Sequence, residues 1–334
     1  MTEHSSSERW VCLAGGNALG AFHLGAIEAL LDARVPVRRV AGASIGAVVA
    51  ALWLGGPPDG AAGRLRAFWT RAEGTSASGG LRFSRQMAAI RALLGGRPRL
   101  FLPTLPGLWA AHPLASDDDH LHSTAPLRRT LLELIDFDRL NDGQTRLIVN
   151  ALDQRTAEDV VFDTAETRLT VDHLLASTAL PLLFPPVEIE GRLLVDPGLS
   201  ANLPIAALFR DRPRHDVLCW AIDLWPRAAD RATSPDTVTR RAQDLLFAAQ
   251  SRHALEHLTE TASAPLRERE LSVAVHHLGY DGGDWEVAAK AFDFSHAAIM
   301  RRRRAGTAVM CKALSDAQPS PQPGLSVIRH GFCS

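Results

Sequence analysis

Two apolar runs, each passing through small residues into a second apolar run of longer period, fill the first 56 residues. "WVCLAGG" (10–16) reads as a buried strand ending in glycines, and "GAFHLGAIEALLDAR" (20–34) as a helix with Glu28 and Asp32 four apart on its solvent side. "VRRVAGAS" gives a second strand, and "IGAVVAALWLGG" a second helix stopped by Gly55, Gly56 and two prolines. Strand, helix, strand, helix in so short a span calls for crossover connections, so the chain reads as α/β around a parallel sheet.

The pattern resumes after residue 145. "RLIVNALD" (146–153) and "VVFD" (160–163) read as strands, and "TVDHLLASTALP" (170–181) as a helix ended by Pro181. "VEIEGRLLVD" (187–196) has two alternating halves about Glu190 and Gly191, a hairpin signal, and "DVLCWAIDLW" (216–225) is a further buried strand. Long helical patterns lie near 235–259 and 285–314. Residues 57–126 are rich in Gly, Pro, Ser and Arg and take no single assignment. Residues 1–8 are expected to be disordered, and the last twenty, "SDAQPSPQPGLSVIRHGFCS", to form a flexible tail. A chain of 334 residues has room for one large domain and an appendage.

With 36 basic and 37 acidic side chains the net charge is −1, which provides no global field for nucleic acid or an anionic membrane. Cys12, Cys219, Cys311 and Cys333 are scattered without metal-ligand spacing, which suits a reducing compartment. The first ten residues are polar where a signal peptide would be apolar. No run approaches the roughly 18 apolar residues of a membrane span, so a cytoplasmic protein is expected.

Three stretches carry candidate chemistry. Gly42, Ala43, Ser44, Ile45 and Gly46 form a G-x-S-x-G pentapeptide at a strand-to-helix turn. Such a turn lifts the serine out of the backbone, and the helix start behind it favours developing negative charge. The same residues also suit a plain small-residue turn. "AGGNALGAFHLG" (14–25) follows the first strand; Gly15 and Gly20 have P-loop spacing, but Ala21 and Phe22 replace the required Lys and Ser or Thr. It is left as an oxyanion hole or a structural glycine turn. In "ALPLLFPPVEIEGRLLVDPGLSANLPI" (179–205) a strand delivers Asp196 to a Pro-Gly turn, which by itself is also ordinary turn chemistry.

A glycine-rich turn, G-x-S-x-G about thirty residues later, and an Asp-x-Gly turn after Phe-Pro-Pro together resemble the patatin-like phospholipases over residues 9–225. The resemblance implies a three-layer α/β/α fold with a mostly parallel sheet, and a helical extension over 226–314 that includes "KAFDFS" (290–295). It implies a Ser-Asp dyad of Ser44 as nucleophile and Asp196 as base, with the oxyanion hole at the N–H groups of Gly15, Gly16 and Asn17. Gly42 and Gly46 would frame the nucleophile. Asn17 replaces a third glycine, and Asn is among the best-tolerated residues at φ > 0. Pro197 replaces the glycine after the aspartate, removing one N–H and biasing Asp196 toward extended backbone. Leu19 stands where a basic residue is frequent.

The implied activity is hydrolysis of carboxyl esters of glycero(phospho)lipids, with no cofactor and no metal, a lipid or acyl-ester substrate, and transient peripheral membrane contact. Other readings stay open. A Ser-His-Asp α/β-hydrolase would draw on the 13 histidines, among them His215, His253, His257, His276, His277 and His296. An acyl-carrier transacylase expects His where Ala43 stands. A non-catalytic lipid-binding relative would treat Asn17 and Pro197 as marks of a decayed site. "LLGGRPRLFLPTLPGLWAAHPL" (93–114) is expected to cover the site, or else to pack as a loop. Arg301–Arg304 is expected to form a solvated helix end, or else to meet anionic head groups.

Overall fold

The computed structural model describes residues 7–74, 82–104, 119–316 and 322–331. In chain order the elements are β1 (Glu8–Leu13), α1 (Ala21–Asp32), β2 (Arg39–Gly42), α2 (Ile45–Leu54), α3 (Ala61–Ala72), α4 (Arg82–Gly95), β3 (Leu102–Pro103), β4 (His122–Ser123), α5 (Ala125–Leu134) and α6 (Phe137–Leu140). These are followed by β5 (Arg146–Asp153), β6 (Asp159–Asp163), α7 (Val171–Thr178), β7 (Val187–Ile189), β8 (Arg192–Val195), α8 (Ile205–Leu208) and β9 (Val217–Asp223). The chain ends with α9 (Pro235–Glu268), β10 (Ser272–Gly279), α10 (His296–Ser315) and β11 (Gly324–His330).

Nine strands make one sheet in the order β11-β10-β9-β1-β2-β5-β8-β7, with β6 also on β5. From β11 to β5 every pairing is parallel; β6, β7 and β8 pair antiparallel. The period of two divides the buried strands between two cores. Val11, Leu13, Leu218 and Trp220 join the cluster containing α1, α2 and α10, whereas Trp10, Cys12, Val217 and Cys219 join the one containing α8 and α9. The sheet therefore lies between helix layers, as the resemblance implied. The hairpin turns at Glu190 and Gly191, both with positive φ, as its alternating halves indicated.

Four expectations are corrected. Residues 1–6 lie outside the described residues, but Glu8, expected to be disordered, begins β1 and pairs with Val217 of β9. Residues 324–330 are not a loose tail: β11 pairs with β10 from Ser272↔Gly324 to Leu278↔His330. Residues 226–314 are not only helical, because β10 joins β9 in the central sheet and covers an edge that would otherwise expose unpaired backbone groups. Glu28 is buried, not wet; it bonds Arg66 of α3 and Arg303 of α10. Within 57–126 the chain forms α3, α4 and the start of α5. Of the expected cover at 93–114, residues 105–114, Trp109 included, lie outside the described residues.

The crossing of α1 and α10 depends on two glycines. A Cβ at Gly25 would strike the Arg303 carbonyl, and one at Gly306 the Phe22 carbonyl, so each helix backbone rests against the other.

Strand register brings the two distant motifs together. β2 pairs with Arg146–Val149 of β5, and β8 pairs with Leu152 and Asp153 in the opposite direction. Since β6 occupies the other edge of β5, β2 and β8 share one edge and end facing each other. The residues just past those ends are Ala43, Ser44 and Asp196.

Candidate active site

Ser44 sits between β2 and α2 with φ 52 and ψ −125, a conformation that costs a non-glycine residue about 1–3 kcal/mol. Its flanking glycines are needed for space. A Cβ on Gly42 would lie 2.5 Å from the Ala47 nitrogen, and one on Gly46 would run into the Leu13 carbonyl. The Ser44 N–H donates to Ser177 Oγ of α7 at 2.9 Å, which ties the strained turn to a fully buried hydroxyl.

Ser44 Oγ donates to Asp196 Oδ2 at 2.6 Å. The other oxygen, Oδ1, accepts the Gly198 N–H at 2.7 Å. Asp196 has φ −59 and ψ 126, the extended conformation expected before Pro197. Pro197 opens a short 3-10 turn, so the first N–H available to the carboxylate is that of Gly198. Asp196 is 4% exposed, and burial raises its pKa from 3.8 to about 6 against the opposing hydrogen bonds from Ser44 and Gly198.

The glycine-rich turn meets this pair from β1. Asn17 has φ 50, the left-handed conformation that explains Asn at this position. Gly16 and Asn17 both line the cavity at Ser44, and no described residue accepts from their N–H groups. The same holds for Ile45, the first residue of α2. Gly15 differs: its N–H donates to the Asn202 carbonyl at 3.0 Å, so the expectation that it supplies an oxyanion donor is corrected. Its role is to be held. The Gly15 carbonyl accepts from Asn202 Nδ2 at 3.2 Å and from Trp225 Nε1 at 3.0 Å.

Asn202, Gln250 and Trp225 were not singled out in the sequence. Asn202 N–H donates to Gln250 Oε1, and Gln250 Nε2 donates to the Gly198 carbonyl, so α9 braces both the glycine turn and the aspartate turn. A signal existed in "DPGLSANLP": a polar Asn six residues after the aspartate, inside an apolar stretch, is a residue that must find hydrogen bonds.

The cavity holds about 260 Å³ and is walled mainly by apolar side chains. Phe101 meets Phe184 edge-on at 5.3 Å between ring centroids and lies 6.5 Å from Phe292 and 6.4 Å from Phe294. Trp225 stacks on Phe247 at 4.3 Å. The "KAFDFS" segment thus sends its two phenylalanines to the cavity wall, while Lys290 pairs with Asp244 and Asp293 with Arg85. Among the described residues lining the cavity there is no histidine. His215, His253, His257 and His296 are exposed; His276 stacks on His330, and His277 approaches Asp223 at 3.4 Å.

Arg301–Arg304 does not form one solvated patch. Arg301 and Arg304 are exposed, Arg303 bonds Glu28, and Arg302 is fully buried. No helix among the described residues is long and apolar enough to cross a membrane.

The chain is similar to VipD from Legionella pneumophila, 17% identical, with 90% of this chain and 67% of that one covered at a TM-score of 0.38. It is similar to human GIVD cytosolic phospholipase A2, 14% identical over 66% of this chain and 41% of that one, with a TM-score of 0.37. For the type III effector ExoU of Pseudomonas aeruginosa the values are 15%, 93%, 53% and 0.35. A patatin-like phospholipase domain-containing protein of Caenorhabditis elegans is 40% identical over 60 residues, which is 18% of this chain and 6% of the worm protein's length. The model of the family described as patatin-like phospholipase matches residues 11–209, more than half of the chain, and this protein therefore belongs to the patatin-like phospholipase family.

Proposed function

We propose that this chain is a serine acyl hydrolase of lipids that works through a Ser44–Asp196 dyad. The observation that carries the reading is the direct 2.6 Å hydrogen bond from Ser44 Oγ to a buried carboxylate in the lining of a mainly apolar cavity. Ser44 Oγ attacks the ester carbonyl while its proton passes to Asp196 Oδ2. The N–H groups of Gly16 and Asn17, joined by that of Ile45, receive the oxyanion of the tetrahedral intermediate, and the N-terminal end of α2 adds its positive potential. Collapse expels the alcohol, which takes the proton from Asp196 and leaves an acyl-Ser44 ester. Asp196 then draws a proton from water, whose oxygen attacks the acyl carbon; the second collapse releases the fatty acid and returns the proton to Ser44. A carboxyl group titrating near 6 is ionised at neutral pH yet basic enough to share the serine proton in a dry site.

The aromatic wall supports an acyl chain as the group bound beside Ser44, and the carboxyl esters of glycerolipids or lysolipids as the substrate class. Among the described residues lining the cavity there is no histidine, which supports a dyad over a Ser-His-Asp triad. Access to lipid would be by transient peripheral contact with a membrane.

The test is a panel of p-nitrophenyl esters, phospholipids and lysophospholipids, run with the wild type beside Ser44→Ala. Fatty acid release by the wild type and none by the variant is expected. Equal activity of the two would reject Ser44 as the nucleophile. No turnover of any substrate by folded wild type would favour a non-catalytic lipid-binding protein.

A further inference from the structure

Arg302 lies far outside the matched motifs, on α10, yet it is 0% exposed. A guanidinium has five N–H donors, and here all five are used. Nε donates to Glu286 Oε1 at 2.9 Å and Nη2 to Glu286 Oε2 at 2.8 Å, a forked pair. Nη2 also reaches the Lys290 carbonyl at 3.1 Å, and Nη1 the Asp293 carbonyl at 2.9 Å. The last donor reaches the Ala18 carbonyl at 3.1 Å, 284 residues away. Tyr280 Oη donates to Glu286 Oε1 at 2.6 Å, so the carboxylate that orients the fork is itself held on a second side.

Ala18 belongs to the 3-10 turn Asn17–Gly20, whose capping residue Gly16 and first residue Asn17 carry candidate oxyanion N–H groups. Such a turn has few internal hydrogen bonds, and its leading N–H groups must stay without protein partners if they are to serve a substrate. Something outside the turn must therefore hold it. On the glycine side that is Asn202 and Trp225, acting on Gly15; on the other side it is Arg302, acting on Ala18. The two clamps straddle Gly16 and Asn17.

We propose that Arg302 is a positioning residue for the oxyanion hole, held by Glu286 and Tyr280, and that it makes catalysis depend on the carboxy-terminal helix α10. The proposal rests on the dyad reading for its kinetic consequence but not for its structural one. Lysine in place of Arg302 keeps the charge and loses the fork, since three donors on one nitrogen cannot span Glu286 and Ala18 together.

The experiment uses the full chain with Arg302→Lys and, because breaking a buried ion pair can prevent folding, the doubly neutral Arg302→Met/Glu286→Gln, which leaves neither charge unpaired. Two readouts are taken: kcat and KM on a short soluble ester, and hydrogen exchange of the peptide covering residues 14–24. In each folded variant kcat is expected to fall at least tenfold with KM within twofold, and exchange to speed up over 14–24 while the peptide covering 217–223 stays protected. A folded variant with kcat within twofold of wild type and unchanged exchange over 14–24 overturns the proposal. So does uniform loss of protection across both peptides in both variants, which would make Arg302 a general stabiliser. If wild type turns over no ester, the dyad reading fails, and the exchange result alone still decides whether Arg302 holds the turn.

Discussion

Replacing Asp196 with Asn should abolish activity and, at neutral pH, make the protein more stable. Burial raises the Asp196 pKa from 3.8 to about 6. At about 1.4 kcal/mol per unit this amounts to roughly 3 kcal/mol of preference for the neutral carboxyl in the folded state. The folded chain therefore binds the proton more tightly than the unfolded chain does. The associated stability is fully present below pH about 4 and is lost as pH rises through about 6. An amide is neutral at every pH and keeps it, while one amide atom can still accept from Gly198 and the other face Ser44. The stability of Asp196→Asn minus that of wild type should accordingly grow with pH, by about 2 kcal/mol between pH 4.5 and pH 8. Urea unfolding of both proteins at a series of pH values measures it, since effects of all other groups cancel in the difference. The same variant should lose at least 10²-fold in ester turnover, and the wild-type rate should rise with pH through about 6. A difference in stability that stays flat with pH, or that favours the wild type as pH rises, would refute the claim that the carboxylate is held in a costly dry site.

Asn17→Gly should keep activity, because glycine also takes φ 50, whereas Asn17→Val should lose on the order of 100-fold in kcat as its β-branch turns the N–H away; full activity of the valine variant would remove Asn17 from the hole. Gly306→Ala drives a methyl into the Phe22 carbonyl and should lower stability by about 1–3 kcal/mol, read as a fall in Tm; an unchanged Tm would mean that α1 and α10 do not cross so closely. Phe292→Ala and Phe294→Ala open the cavity wall, so kcat/KM for longer acyl esters relative to short ones should rise by about tenfold; an unchanged ratio would place the acyl chain elsewhere.

Ser44 stands in a strand-turn-helix pattern with glycines on both sides, and Asp196 ends an alternating hairpin, but each motif alone also fits an ordinary turn. It is the resemblance carried by three motifs in order that marks the two as candidates. The contacts that hold them were not legible. Asn202 and Arg302 act on Gly15 and Ala18 across 187 and 284 residues, and no local pattern records such a pairing. Arg302 was further hidden by its neighbours: in a run of four arginines a solvated helix end is the ordinary expectation, and only a partner for every donor makes burial affordable. β10 escaped notice because His276 and His277 interrupt its apolar run, although both are buried. β11 escaped because it sits at the sheet edge behind a Pro-rich stretch, with Ile328 and Arg329 exposed, so neither its composition nor its alternation marks it as a strand.

The central claim, that Asp196 acts on Ser44 with no histidine between them, is tested most directly by the rate at which a fluorophosphonate labels Ser44. In a triad, some single histidine substitution must be as damaging as losing the serine. In the dyad, labelling should be slowed at least 100-fold in Asp196→Asn, absent in Ser44→Ala, and near the wild-type rate in each of the 13 single His→Ala variants that folds. One folded histidine variant that labels as slowly as Asp196→Asn would contradict the account and put a histidine relay in the site.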